Sequence, residues 1–228
     1  MNSKYFTGKK LVKKWDSVTV DVSIELEKSQ MLAIAGKSGS GKSTVLRIIA
    51  GLTPQSRYEA LMLDGIDIGP LSPGRRGVGM VFQNHALFPH MRLDDNVAYG
   101  LRSRGMGKKE GRNKAAEMLE RFGLSGFSHR YPASLSGGEA QRVSLARTLI
   151  IEPKLVLFDE PLSSLDAPLR KSLALDIRQR QRELGFTGIL VTHDIAEVKT
   201  MSDAVLVMKD GKQTWGGSPE DFTESLLL

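Results

Sequence analysis

Residues 36–44 read Gly36, Lys37, Ser38, Gly39, Ser40, Gly41, Lys42, Ser43 and Thr44, the pattern G-x-x-x-x-G-K-[ST]. Immediately before it, Met31-Leu-Ala-Ile-Ala35 is a short unbroken apolar run, the mark of a strand buried on both faces. After it, Ser43 to Ala50 reads as a helix stopped by Gly51, with Pro54 following. A loop that curls its backbone N–H groups between a buried strand and a helix start is built to cradle phosphate. In that arrangement Lys42 is expected to reach the β- and γ-phosphates of a nucleotide and the Ser43 hydroxyl to ligate Mg²⁺. A plain Gly/Ser-rich turn would share the composition but not the flanking elements. The loop alone does not name a reaction, because kinases, GTPases, DNA motors and transport ATPases all use one.

The rest of the chain supports an α/β sheet. Val18, Val20, Val22, Ile24 and Leu26 alternate with polar residues, as in a strand with one buried face. Short strands are expected at Leu61–Leu63 and Val78–Phe82, and from Leu155 onward strands and helices alternate: 155–158, 169–184, 189–191, 195–201 and 204–208. Such alternation predicts βαβ units and a parallel sheet. Lys209-Asp-Gly-Lys212 is a hairpin signal leading to a last strand near Trp215. Between about 88 and 152 the periodicity is helical, so the sheet is expected to be interrupted by a helical insertion.

Leu155-Val-Leu-Phe-Asp-Glu-Pro161 ends an apolar strand on two adjacent carboxylates. The C-terminal edge of a parallel strand is where such sheets bind ligands. Asp159 is therefore expected to hold Mg²⁺, directly or through water, and Glu160 to orient or deprotonate an attacking water.

Composition excludes several classes. With no cysteine, there is no disulfide framework, zinc–thiolate site, iron–sulfur cluster or cysteine nucleophile. No apolar stretch approaches the ~20 residues of a membrane-spanning helix, and residues 1–10 lack the apolar core of a signal peptide. The formal net charge is +6, and Arg102–Arg121 holds seven basic and three acidic residues. That stretch is read as a solvated helical face, with anionic lipid or nucleic acid as alternatives.

Leu135-Ser-Gly-Gly-Glu-Ala-Gln-Arg142, lying between the phosphate loop and the Asp-Glu strand end, resembles the signature motif of the ABC (ATP-binding cassette) ATPases. Other stations occur in the same order. Gln83 in Val81-Phe-Gln-Asn84 resembles the Q-loop, Ser163-Ser-Leu-Asp166 the D-loop, and His193 in Val191-Thr-His-Asp194 the switch histidine. Trp15 sits where the family places an aromatic that stacks on adenine. The resemblance covers essentially the whole chain. It implies a P-loop NTPase with a RecA-like parallel core (1–87 and 152–228), a small antiparallel β portion, and an inserted helical subdomain (88–151) that carries the signature. It further implies ATP and Mg²⁺, with Lys42, Gln83, Glu160 and His193 in catalysis and Ser43, Gln83 and Asp159 at the metal. Two cassettes are expected to sandwich ATP head to tail, so that Ser136, Gly137 and Gly138 of one chain complete the site built around Lys42 of the other, and Asp166 is expected among the nucleotide-binding residues. Glu139 stands where the commoner form has Gln, a variant expected to leave the anion-binding Ser-Gly-Gly intact. His85, His90 and His129 are expected to be packing or surface residues.

ABC cassettes of DNA-repair and chromosome proteins insert a long coiled coil, yet Gln83 and Ser136 are only 53 positions apart here. Translation types carry two cassettes per chain. Asn84-His-Ala-Leu-Phe-Pro-His-Met91, Asn96-Val-Ala-Tyr-Gly100 and Leu162-Ser-Ser-Leu-Asp-Ala-Pro-Leu-Arg170 resemble instead bacterial importer cassettes for iron, polyamines, thiamine, molybdate or sugars. The chain ends 35 residues after His193, short of the regulatory domain many of those add. The expected partners are a second cassette, integral-membrane permease subunits and a substrate-binding protein, with no nucleic acid. The expected location is peripheral, on the cytoplasmic face of the inner membrane. A lipoprotein-release or membrane-remodelling ATPase is the alternative.

Overall fold

A computed structural model describes residues 4–14, 19–53 and 56–227. Trp15, Val18 and Pro54, on which three of the expectations above fall, lie outside them. The strands are β1 (Phe6–Lys14), β2 (Thr19–Leu26), β3 (Met31–Ala35), β4 (Ala60–Leu63), β5 (Ile66–Asp67), β6 (Val78–Phe82), β7 (Leu155–Asp159), β8 (Thr187–Thr192), β9 (Ala204–Lys209) and β10 (Lys212–Gly217). The helices are α1 (Lys42–Ala50), α2 (Leu93–Ser103), α3 (Lys108–Arg121), α4 (Gly137–Leu149), α5 (Ala167–Leu184) and α6 (Ile195–Met201). The sheet order is β5-β4-β1-β2-β10-β9-β3-β8-β7-β6.

Two chemistries meet in that order. β3 pairs in parallel with β8 and β9, and β7 in parallel with β8. These strands are largely apolar, and every residue of β3, β7 and β8 is buried, as expected where both faces are covered. β1, β2, β4 and β5 are joined by antiparallel pairs, and β2 and β4 bury alternate residues, the period of a one-faced sheet. The antiparallel portion and the parallel core are the predicted ones.

β1 escapes sequence reading for a physical reason. Its buried residues are Phe6, Gly8, Leu11 and Lys13, and the register against β2 shifts between Gly8 and Leu11. A bulge there, with Lys10 at φ 50°, breaks the period-two pattern.

The chain folds as two compact units. The first comprises 1–80, 154–160 and 171–228; the second comprises 81–153 and 161–170. In the first, α1 buries Val45, Leu46, Ile48 and Ile49 in one cluster with Leu32, Ile34, Leu157, Ile189 and Val191 of the parallel strands. Each such side chain stabilises by about 1.5–3 kcal/mol on full burial, so the loop between β3 and α1 hangs between two anchored elements. A second cluster gathers Ala33, Val205, Val207 and Phe222, with Trp215 against it at 6.2 Å from the Phe222 ring. In the second unit α2 and α3 are joined by ion pairs, Arg112 reaching Asp95 at 2.6 Å and Asp94 at 3.7 Å. Among the described residues no strand occurs between Phe82 and Leu155, and no helix is long and apolar enough to cross a membrane.

Candidate functional site

The phosphate loop is shaped by backbone crowding. A Cβ on Gly36 would lie 2.3 Å from the Met208 carbonyl oxygen, so the chain leaves β3 pressed against β9. Gly41, at φ 96°, caps α1, and a Cβ there would meet Val20 Cγ2 at 2.6 Å. Neither position accepts another residue without moving a neighbour. No side chain caps α1 and no acidic residue stands in its first turn. The positive end of the helix is thus directed at the loop with no capping side chain of its own.

Lys42 lies beneath this loop, 4% exposed. Its ammonium donates to the carbonyl oxygens of Gly36 and Lys37, both at 2.9 Å, so the loop closes around its own cation. Burial pushes the Lys42 pKa down, and the carboxylates of Glu160 and Asp159 work against that shift. Ser40 is buried too, and its hydroxyl has no protein partner among the described residues. Lys37, Ser38 and Gly39 are exposed at the loop's crest, and Thr44 is half-buried.

The acidic pair arrives from β7. Asp159 ends the strand, 9% exposed, and accepts a 2.6 Å hydrogen bond from the Ser43 hydroxyl, 116 positions away in sequence. Glu160 follows in the left-handed region, φ 47°, with its N–H donating to the Val191 carbonyl at 3.0 Å. A non-glycine residue held there costs free energy, and such strain concentrates at working sites. His193 Nδ1 lies 3.5 Å from Glu160 Oε2. That is ion-pair range and longer than a good hydrogen bond. The histidine is 60% exposed at its side chain, the glutamate 23%. His193 sits between the buried end of β8 and α6, where Asp194 accepts from the N–H groups of Ala196 at 2.7 Å and Glu197 at 3.2 Å. That cap fixes the turn that presents the imidazole.

Ser43 and Asp159 offer two hard oxygen donors side by side. Among the described residues no group of three or more His, Cys, Asp or Glu side chains could hold a metal ion. Two protein oxygens with the remaining positions left to phosphate and water is the habit of Mg²⁺. The donor set fits that ion.

The other predicted residues belong to the second unit. Gln83 follows β6 and is exposed. Ser136 caps α4 in a capping box. Its N–H and hydroxyl both donate to Glu139 Oε2, at 2.7 and 2.8 Å, and its own Oγ accepts from the Glu139 N–H at 3.4 Å. These bonds hold the Glu139 carboxyl below its usual range, the Ser136 N–H contributing most. The Glu139 carboxylate thus accepts from both Ser136 donors in this structure. A Cβ on Gly137 would stand 3.0 Å from Leu165 Cδ2, and one on Gly138 3.1 Å from Leu169 Cδ2. Asp166 accepts from the Leu169 N–H at 2.9 Å and so closes the first turn of α5.

The fold thus gathers Lys42, Ser43, Asp159, Glu160 and His193 within one unit, while Gln83, Ser136, Gly137, Gly138 and Asp166 lie in the other. Sequence reasoning missed His85, Gln141 and Arg147, which bond to one another's segments in the second unit. A signal was available: Arg147 interrupts the apolar Val143-to-Ile150 face, and a charge inside such a face needs partners.

Residues 19–163 match the family model described as ABC transporter. Three proteins named Fe(3+) ions import ATP-binding protein FbpC are similar along most of this chain. The one from Rhizobium etli is 48% identical over 205 residues, covering 90% of this chain and 58% of the relative. That of Brucella abortus is 45% identical, covering 96% and 62%, and that of Escherichia coli O157:H7 is 43% identical, covering 97% and 64%. The chain therefore spans about three-fifths of the length of these relatives. Among solved structures, cbiO1 of Clostridium perfringens, part of the ABC transporter complex cbiONQ, superposes with a TM-score of 0.82 at 26% identity, over 96% of this chain and 90% of that one. With the motif order, the parallel core beside an antiparallel portion and these similarities together, the chain belongs to the ABC transporter family.

Proposed function

We propose that this chain is the ATP-hydrolysing subunit of a bacterial ABC importer. The observation that carries the reading is the convergence in one unit of a phosphate loop closed on Lys42, the 2.6 Å Ser43–Asp159 bond and the Glu160–His193 pair. The relatives' naming as Fe(3+) import proteins favours an importer over a lipoprotein-release machine and makes ferric iron the first cargo to test.

Each residue has a role its surroundings can support. Gly36, Lys37, Ser38, Gly39, Ser40, Gly41 and Thr44 wrap the phosphates with backbone N–H groups and the Ser40 hydroxyl. Lys42 exchanges its loop carbonyls for β- and γ-phosphate oxygens. Ser43 and Asp159, with Gln83, hold Mg²⁺, which when bound neutralises developing phosphate charge. Glu160 accepts a proton from the attacking water, and His193 contacts the γ-phosphate. Trp15 stacks on adenine. Residues 1–87 and 152–228 act as the catalytic core and 88–151 as the helical subdomain. Ser136, Gly137, Gly138 and Asp166 serve the site of a second cassette, so ATP closes the dimer and hydrolysis reopens it. Permease subunits receive that motion on the cytoplasmic face of the inner membrane, and a substrate-binding protein delivers the cargo; no nucleic acid takes part.

The first test is calorimetry of Mg-ATP with the full chain and its Lys42→Ala variant. Tight binding is expected for the wild type and its loss for the variant, because a point charge on the phosphates disappears. Equal affinity in both would overturn the site assignment.

A further inference from the structure

Downstream of Gln83, His85 and Ala86 stand consecutively in the left-handed region, with φ 58° and 49°. A side chain makes that conformation unfavourable, and two in succession persist only where the surroundings impose it. What imposes it is one stripe of α4. Residues 141, 144 and 147 recur at threefold spacing on a single helix face.

Gln141 Oε1 accepts from His85 Nδ1–H at 2.7 Å, and the Ser144 hydroxyl donates to the His85 carbonyl at 3.1 Å. Arg147 spends both terminal nitrogens on the same kink, donating to the Ala86 carbonyl at 2.6 Å and the His85 carbonyl at 2.8 Å. Burial pushes the Arg147 pKa down, and among the described ion pairs no carboxylate lies against its guanidinium. Neutral carbonyls, with the Phe88 ring 5.6 Å from the guanidinium, are modest compensation for a partly desolvated cation if stability were the only gain. What the arrangement secures is direction. The His85 N–H donates back to Phe82 O at 3.0 Å, so Gln83 lies inside a turn pinned at both ends. The helix that grips this turn is the one headed by Ser136 and its capping box.

We propose that Arg147, backed by Gln141 and Ser144, is a positioning residue that fixes Gln83 and yokes its loop to the signature helix, so that the two shift together. This rests on the role given to Gln83 above. Nucleotide binding draws chiefly on the phosphate loop of the first unit, so loss of the grip should lower turnover and spare affinity.

The test is a double-mutant cycle in the full chain: wild type, Arg147→Leu, Gln83→Ala and the pair, with steady-state hydrolysis read beside ATP affinity by calorimetry. Arg147→Leu should lower kcat by about 10- to 100-fold, the scale of a misplaced catalytic group, with ATP affinity kept. In the Gln83→Ala background the same change should cost little more, because the group it positions is gone. Arg147→Lys, able to reach one carbonyl at a time, should fall between. If Arg147→Leu does not fold, Ser144→Ala carries the same cycle with a smaller loss. Equal fold-losses in both backgrounds would make Arg147 merely structural and overturn the proposal, as would unchanged turnover. If Gln83→Ala itself hydrolyses ATP normally, the role given to Gln83 fails and the yoke with it; if it does not, a failed cycle condemns the yoke alone.

Discussion

Replacing Glu160 by Gln should separate nucleotide binding from hydrolysis. The backbone at 160 is pinned by its N–H to the Val191 carbonyl at 3.0 Å and stands at φ 47°. Gln has the same shape and the same cost at that φ, so the fold should be retained. Two electrostatic effects follow from the change of charge. Lys42 loses one of the two carboxylates that offset its desolvation, so its pKa in the nucleotide-free chain should fall further. At the same time one negative charge leaves the neighbourhood of the phosphates, so ATP affinity should hold or rise. Turnover should fall by about 10²–10⁴-fold, the range of a general base. That is ~2.7–5.4 kcal/mol of barrier at ~1.36 kcal/mol per decade. The assay is phosphate release beside calorimetric ATP binding, with sedimentation to detect an ATP-trapped dimer. Near-normal hydrolysis would refute the base assignment and leave His193, 3.5 Å from Glu160, as the stronger candidate. A large loss of ATP affinity would instead make Glu160 a binding residue.

Asp159→Asn keeps an acceptor for the Ser43 hydroxyl but removes the charge from a bond of 2.6 Å, so stability should drop by about 1 kcal/mol, and half-maximal activity should need about tenfold more Mg²⁺; an unchanged Mg²⁺ titration would remove Asp159 from the metal site. Glu139 gives a pH signature: its carboxyl is depressed below the ordinary 4.5 by the Ser136 donors, so its contribution is present above that value and is lost as pH falls through the lower folded-state value. Thermal melts should show Glu139→Gln less stable than wild type at neutral pH, with the gap closing in acid; a gap independent of pH would mean that the capping box does not depend on the charge.

The local elements were legible because their causes are local. The apolar Met31–Ala35 run, the glycines after it and the helix stopped at Gly51 are fixed by side-chain period and backbone freedom within twenty residues, and the strand–helix alternation after Leu155 by the same rules. From these the α/β class and the phosphate loop follow without coordinates. Motif order then carried the family, since Gln83, Ser136, Asp166 and His193 are recognised by type and sequence neighbours alone. What tertiary structure decided is every distance between segments. Ser43 and Asp159 are 116 positions apart, and no periodicity brings a hydroxyl within 2.6 Å of a carboxylate. The left-handed backbone of Glu160 and the bulge that hides β1 are imposed by neighbours distant from their own local pattern. Glu139 and Arg147 show the same division most clearly. Sequence gives the charge of each side chain but not the atoms it meets, the Ser136 donors for one and the His85 and Ala86 carbonyls for the other.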